Sequence, residues 1–369
     1  MNADKIRDCR LHEVDGPKRR GLALPAAGWV ALALAMSVAG ARGSGNFNKT
    51  GSMNVARDEH TATLLANGQV LVVGGLSGWA NVLAAEQTAE LYDPAKGKFT
   101  FTGNLNTGRY AHEAVGLPDG RVLVVGGIDT NFNTTASVEL YNPATGRWTP
   151  TASMSSPRWN FNLVLLPNGL VLVGGGNGYN APNYAELYNP ATGTWSPINT
   201  PVFSSVAVLQ DGKMLALVSG GADLFDPATD TWTATTPPPA PVLFSGLLPN
   251  GVAFCGDEFY DPSSAQWTTF GGPSSTGGFA ILATGQVLAA GTVFHVNAQP
   301  YPITETGKAA QLWDPSTLAW TSTGNLNVSR VGQSMTLLLD GQVLAAGGES
   351  FDKSSGTLVP IASAELYTP

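Results

Sequence analysis

The sequence predicts an all-β chain folded as a seven-bladed propeller of four-stranded antiparallel blades. Three observations predict it. One phrase, clearest as Glu139-Leu-Tyr-Asn-Pro-Ala-Thr-Gly-Arg-Trp148, recurs with its last residue at Phe99, Trp195, Trp232, Trp267 and Trp320, and in half at Glu365-Leu-Tyr-Thr-Pro369. Its aromatic end, counted from Phe47, returns every 35 to 53 residues, and a period near 50 belongs to propeller blades rather than helical solenoids. The half that the last copy lacks stands at the other end, where Gly45–Arg57 aligns with Gly97–Arg109. Residues 45–50 therefore complete the last blade and close a ring.

The second copy shows the elements of one blade in order. His112–Pro118 is a short first strand, Asp119-Gly120 a hairpin turn and Arg121–Gly127 a second strand. After a polar loop, Ser137–Tyr141 forms the third strand, Asn142–Gly146 the next turn, and Arg147-Trp148-Thr149 opens the fourth. The first turn recurs as Asn67-Gly68, Asn168-Gly169, Asp211-Gly212, Asn250-Gly251, Thr284-Gly285 and Asp340-Gly341, where Asn or Asp followed by Gly supplies the positive φ of a two-residue hairpin. Each such sheet has two apolar faces it cannot bury alone, and neighbours around a ring bury both.

Residues 1–41 lie outside the repeat. Lys18, Arg19 and Arg20 precede an uncharged run from Gly21 to Ala41 that ends in Ala39-Gly40-Ala41, the pattern of a cleaved export signal or of a retained membrane anchor. The expected domains are this segment and a propeller over 42–369, in a secreted or extracytoplasmic setting. Cys9 falls in the removable part and Cys255 would stand alone, so no disulfide is expected. Without residues 1–41 the chain carries 13 Lys and Arg against 23 Asp and Glu, a net charge of −10. That balance excludes nucleic acid, and the membrane is a partner only if 21–41 is retained. A monomer is expected.

These residues resemble the Kelch repeat family, whose marks are a double glycine, then a tyrosine, then a tryptophan about seven residues on. The pairs here are Gly74-Gly75, Gly126-Gly127, Gly174-Gly175, Gly220-Gly221 and Gly347-Gly348. The tyrosine position holds Tyr92, Tyr141, Tyr188, Phe225, Tyr260, Trp313 and Tyr367, followed by Phe99, Trp148, Trp195, Trp232, Trp267 and Trp320. These aromatics read as wedges between sheets, with the glycines allowing close approach. Cys255-Gly256 and Gly291-Thr292 depart from the double glycine.

Turns 1–2 and 3–4 share one face of such a ring and are nearly identical among copies. The 2–3 loops and the links between blades share the other, and there the copies diverge, which marks the binding face. The 2–3 loops are long in blades 1, 2, 3, 6 and 7 and nearly absent in 4 and 5. Trp79, Phe132, Tyr179 and Tyr301 in these loops are candidates to seat a sugar ring or an apolar side chain. An arginine recurs at the link into the first strand as Arg57, Arg109, Arg158 and Arg330. The Kelch resemblance implies that these four could face an acidic ligand; pairing with the third-strand Glu90, Glu139, Glu186 and Glu365 is the structural reading.

Catalytic signals are few. His60 and His112 are two copies of one position, replaced by Phe161 and Gln333 elsewhere, so they read as structural. His295 lies in the long blade-6 loop, without a His or Cys at metal spacing nearby, and is a further ligand candidate. Galactose oxidases carry Kelch repeats with a copper site of two tyrosines, two histidines and a Tyr–Cys crosslink. Here Cys255 is the one ring cysteine and falls at the double-glycine position. The expected function is non-catalytic binding of a protein or glycan with no cofactor. The alternative is a propeller enzyme acting on carbohydrate, as a lyase, a hydrolase or, last, a copper oxidase.

Overall fold

The computed structural model describes residues 45–369 apart from 80–81, 177–184, 199–202, 219–220, 227–228, 230, 240–244, 248–250, 256–257, 270–277 and 297–302. The expected targeting segment, Tyr179 and Tyr301 lie outside the described residues. For Trp79 and His295 the strands are described and the side chains are not.

The described residues form seven four-stranded antiparallel sheets. Blade 2 runs Glu113–Gly116, Val122–Val125, Val138–Asn142 and Arg147–Thr151. The first strands of successive blades adjoin one another, from Thr61–Leu64 through Glu113–Gly116 and Asn162–Leu165 onward, and Ser334–Leu337 adjoins Thr61–Leu64. They therefore surround the axis of a propeller, and many of their residues stay half-buried. The second strands, such as Val70–Val73 and Val343–Ala346, are buried throughout because sheets cover both their faces. Ring closure follows the sequence reading: Asn46–Lys49 is the outer strand of blade 7, with Asn46 opposite Thr368 and Lys49 opposite Glu365.

Two local readings are corrected. The 1–2 turn is not a two-residue loop. Gly68 N–H donates to Leu65 O and Leu65 N–H to Gln69 O, so the four-residue turn Leu65-Ala66-Asn67-Gly68 ends on Gly68 at φ 83°. The glycine occupies the left-handed bulge at the end of the turn rather than its centre. In blade 3, which has three consecutive glycines, the conserved geometry falls on Gly175-Gly176 (φ 68° and 93°), while Gly174 ends the second strand.

The aromatics do wedge the seams. Tyr141 and Trp148 are cross-strand partners with ring centroids 4.9 Å apart, and both pack with Leu65, Leu71 and Val73 of blade 1. The Tyr141 hydroxyl lies 2.7 Å from Thr102 Oγ1 on the fourth strand side of blade 1. The same hydroxyl pair recurs as Tyr92–Thr50, Tyr188–Thr151, Tyr260–Thr235 and Tyr367–Thr323. Phe225 and Trp313 hold the same position and bring no hydroxyl. At Gly291 the register of blade 6 shifts, between Ala290 and Thr292.

Candidate functional site

The links into the first strands repeat the order arginine, any residue, a left-handed residue, then a ring or amide. Glu59, Ala111 and Asn160 take that left-handed position at φ 49–51°, and Gly332 takes it in blade 7. The turn it makes sends the arginine inward. Arg57, Arg109, Arg158 and Arg330 are all 0% exposed. All five donors of Arg109 are engaged. Nε donates to Thr107 O, Nη1 to Gly126 O and Ser137 O, and Nη2 to Ser137 Oγ and Glu139 Oε1, over 2.8–3.3 Å. Glu139 is equally occupied, accepting also from Asn106 N and Nδ2 and from Thr107 N. Arg57–Glu90 and Arg330–Glu365 repeat the pair at 2.9 Å, and Arg158–Glu186 at 3.4 Å. As ligand candidates these arginines are placed away from any surface, because a buried guanidinium needs a buried partner and acceptors, and each blade supplies its own.

The glycine pairs connect one link to the next. Arg57 Nη1 donates to Gly74 O of its own blade, while Gly75 N–H donates to Arg109 O of the following link at 2.9 Å. Gly127 N–H to Arg158 O and Gly348 N–H to Arg57 O repeat the step. A hydrogen-bonded belt thus runs through blades 7, 1, 2 and 3. A Cβ on Gly74 would stand 2.7 Å from His112 Cε1, which explains why the position takes no side chain.

His60 and His112 fill the same seams. His112 Nε2 lies 3.0 Å from Thr61 Oγ1 of blade 1, and His60 Nε2 lies 2.9 Å from Ser334 Oγ of blade 7. Burial first, then the nearby arginine charges, hold His60 at about 3 and His112 well below the ordinary value. Both are neutral pieces of packing.

One residue breaks this pattern, and sequence reasoning passed over it. Thr61 and Ser334 open their first strands and meet the histidine of the next blade. Blade 2 places Glu113 there, opposite Val125. Val115, on the same strand face, packs with Leu163 and Leu165 of blade 3, whereas Ala114 packs toward blade 1. Glu113 therefore faces the seam where Phe161 replaces the histidine, and a phenyl ring offers no donor. The carboxylate is half-buried and has no hydrogen bond or ion pair with a described residue. Burial alone pushes it up to about 7. A carboxylate so placed, beside the axis and titrating near neutrality, is the kind of group found at functional sites. The available signal was the exchange of a hydroxyl for Glu113 together with a histidine for Phe161.

The loop-rich face is uneven. Blade 1 carries a hairpin of Leu76–Trp79 and Val82–Ala85, blade 7 one of Glu349–Asp352 and Thr357–Pro360, and blade 6 extends its middle strands to Val287–Val296 and Ile303–Asp314. These three extensions touch in sequence, with Phe351 N–H donating to Thr306 Oγ1 between blades 7 and 6. In blade 4, by contrast, the third strand begins at Gly221, three residues after Val218 ends the second. Phe132, 42% exposed, meets Tyr110 edge-on at 6.3 Å.

The Kelch motif model matches residues 114–155 and 157–201. No curated protein matches the chain in sequence. Among solved structures, a fungal alcohol oxidase of the AA5 family in complex with copper superposes with a TM-score of 0.63 at 16% identity, covering 89% of this chain and 76% of that one. That likeness is one of fold. The described residues hold no group of three or more His, Cys, Asp or Glu side chains arranged to bind a metal. His60 and His112 lie in separate seams, each bonded to a hydroxyl of the neighbouring blade.

Proposed function

We propose that this Kelch-repeat propeller is a non-catalytic binding module, taking a protein or glycan partner on its loop-rich face. The observation that carries the reading is the joined wall of hairpins on blades 6, 7 and 1, facing a rim that is low at blade 4. That asymmetry suits an extended or bulky ligand rather than a small enclosed substrate. The commitment of four arginines to ion pairs inside their own blades and of two histidines to seams supports the same reading. The basic cluster and apolar run of residues 18–41 support work outside the cytoplasm. The partner is neutral or basic rather than acidic, because the arginines are neutralised inside while Glu59, Glu86, Asp129 and Glu349 remain partly exposed around the face.

The test is binding of the purified chain to a mixed glycan and peptide array, beside a variant in which residues 350–359 are replaced by a two-residue turn. Signal present in the parent and lost in a variant that melts normally is the expected outcome. Equal signal from both would move the partner off the wall, and turnover of any carbohydrate would replace the reading with the enzymatic one.

A further inference from the structure

We propose that Glu113 is the receptor for a single positive charge, the ammonium or guanidinium of a basic peptide side chain that enters the channel at the seam of blades 2 and 3. The proposal rests on the binding reading above and names the chemistry its ligand must carry.

Four observations support it. Glu113 stands on the strand that borders the axis, so a ligand reaches it without opening a blade. It has no partner among the described residues, whereas the carboxylates of the belt beside it are paired. Glu139 and Glu186 take Arg109 and Arg158, and the first strands on either side, Thr61–Leu64 and Asn162–Leu165, bring no charge toward it. Its one flanking link histidine, His112, is buried and neutral. Across the seam stand Phe161 and Leu163 rather than donors, so the site offers one negative charge against an apolar wall. Such a site matches a cation on an apolar stem, as lysine and arginine are. It does not match a metal ion, which needs several oxygen donors.

The equivalent positions in blades 1 and 7 indicate what a purely structural residue there looks like: a hydroxyl bonded to the next histidine. Blade 2 has given up both members of that pair and retained a carboxylate that burial disfavours. Near pH 8 it is ionised and can receive a cation; below pH 6 it is protonated and cannot.

The experiment titrates the full chain by calorimetry with three blocked tripeptides, acetyl-Gly-Lys-Gly-amide, acetyl-Gly-Arg-Gly-amide and the uncharged norleucine analogue, at pH 8 and pH 5.5. One cationic peptide should bind at pH 8, at least tenfold more tightly than at pH 5.5, and the norleucine peptide should not bind. Glu113→Gln should lose at least tenfold of that affinity while Glu113→Thr, which restores the residue of blade 1, loses it too and melts cooperatively. Cationic binding that survives in both variants, or none in the parent, overturns the proposal. If an array partner binds the parent and Glu113→Gln equally, the loop-face reading stands and this one falls.

Discussion

Blades 7, 1, 2 and 3 and blades 4, 5 and 6 are built from one phrase, yet they hold together differently. In the first group an arginine and a glutamate are buried together in every blade, and the glycine pair hands the chain of hydrogen bonds to the next link. In the second group the arginine is gone. Glu258 of blade 5, still buried, turns to Thr269 Oγ1 of its own sheet, and Phe259 stacks on Trp313 of blade 6 at 4.0 Å. The first group is latched by polar groups that fix register, the second by side-chain packing that tolerates drift. The lesson is that the series of glutamates means two things along one chain, and its partner decides which.

Breaking a latch should have the largest effect. Glu139→Ala leaves Arg109 charged and buried, and should cost about 3–5 kcal/mol. Glu258→Ala, with no arginine behind it, should stay within about 1 kcal/mol. Urea unfolding of the two variants compares the groups directly, and equal losses would erase the distinction.

Glu113 sharpens it further, as a half-buried charge of the latched group with no counterpart among the described residues. Its value is raised from 4.5 to about 7, so the folded state holds the proton more tightly, and stability falls as pH rises from about 4.5 to 7. Glu113→Gln should therefore be more stable than the parent at pH 8, by up to about 3 kcal/mol at 1.36 kcal/mol per unit, and equal to it at pH 4. His60, lowered from 6.5 to about 3, works in the opposite sense: its contribution is intact above 6.5 and lost as pH falls toward 3. Melting temperatures across pH 4–8 of parent and variant separate the two, since only the difference belongs to Glu113.

A smaller effect should follow from Tyr141→Phe, which removes the bond to Thr102 and makes that seam resemble the one at Phe225; the expected loss is about 1 kcal/mol. The smallest is a gain. Leu318 and Ala265, at φ 55° and 54°, hold the 3–4 turn position of blades 6 and 5 that glycine holds at Gly97, Gly146 and Gly193. Leu318→Gly should relieve left-handed strain and add about 0.5 kcal/mol, the gain being limited by glycine's own entropy. A drop in urea midpoint for Leu318→Gly would show that the turn is not strained.

Much of this was legible in the chain because repetition turns single residues into aligned positions. The fold, the ring closure through residues 45–50 and the uneven loops could all be read by comparing copies. The arginine and glutamate series was visible as well, but whether they met each other or a ligand depended on burial, which no spacing reports. Three adjacent glycines in blade 3 allowed two registers, and hydrogen bonding from Arg158 to Gly175 selects one. Glu113 stayed hidden because its oddity exists only against Phe161, a residue 48 positions away on the neighbouring sheet.

The pairing of Asn46–Lys49 with Ala364–Thr368 has a kinetic consequence. Asn46–Lys49 leaves the ribosome before the other described strands and waits for the last of them, which at usual synthesis rates means roughly 15–60 s with blade 7 incomplete. Joining ends so far apart costs about 5 kcal/mol of loop entropy in an open chain, so six blades must already be stacked to hold the gap narrow before the final strand can dock. The slowest folding step of this protein should therefore be the zipping of its two ends, and a circular permutant opened inside a blade-to-blade link, with the ends of 45 and 369 joined, should fold faster than the parent.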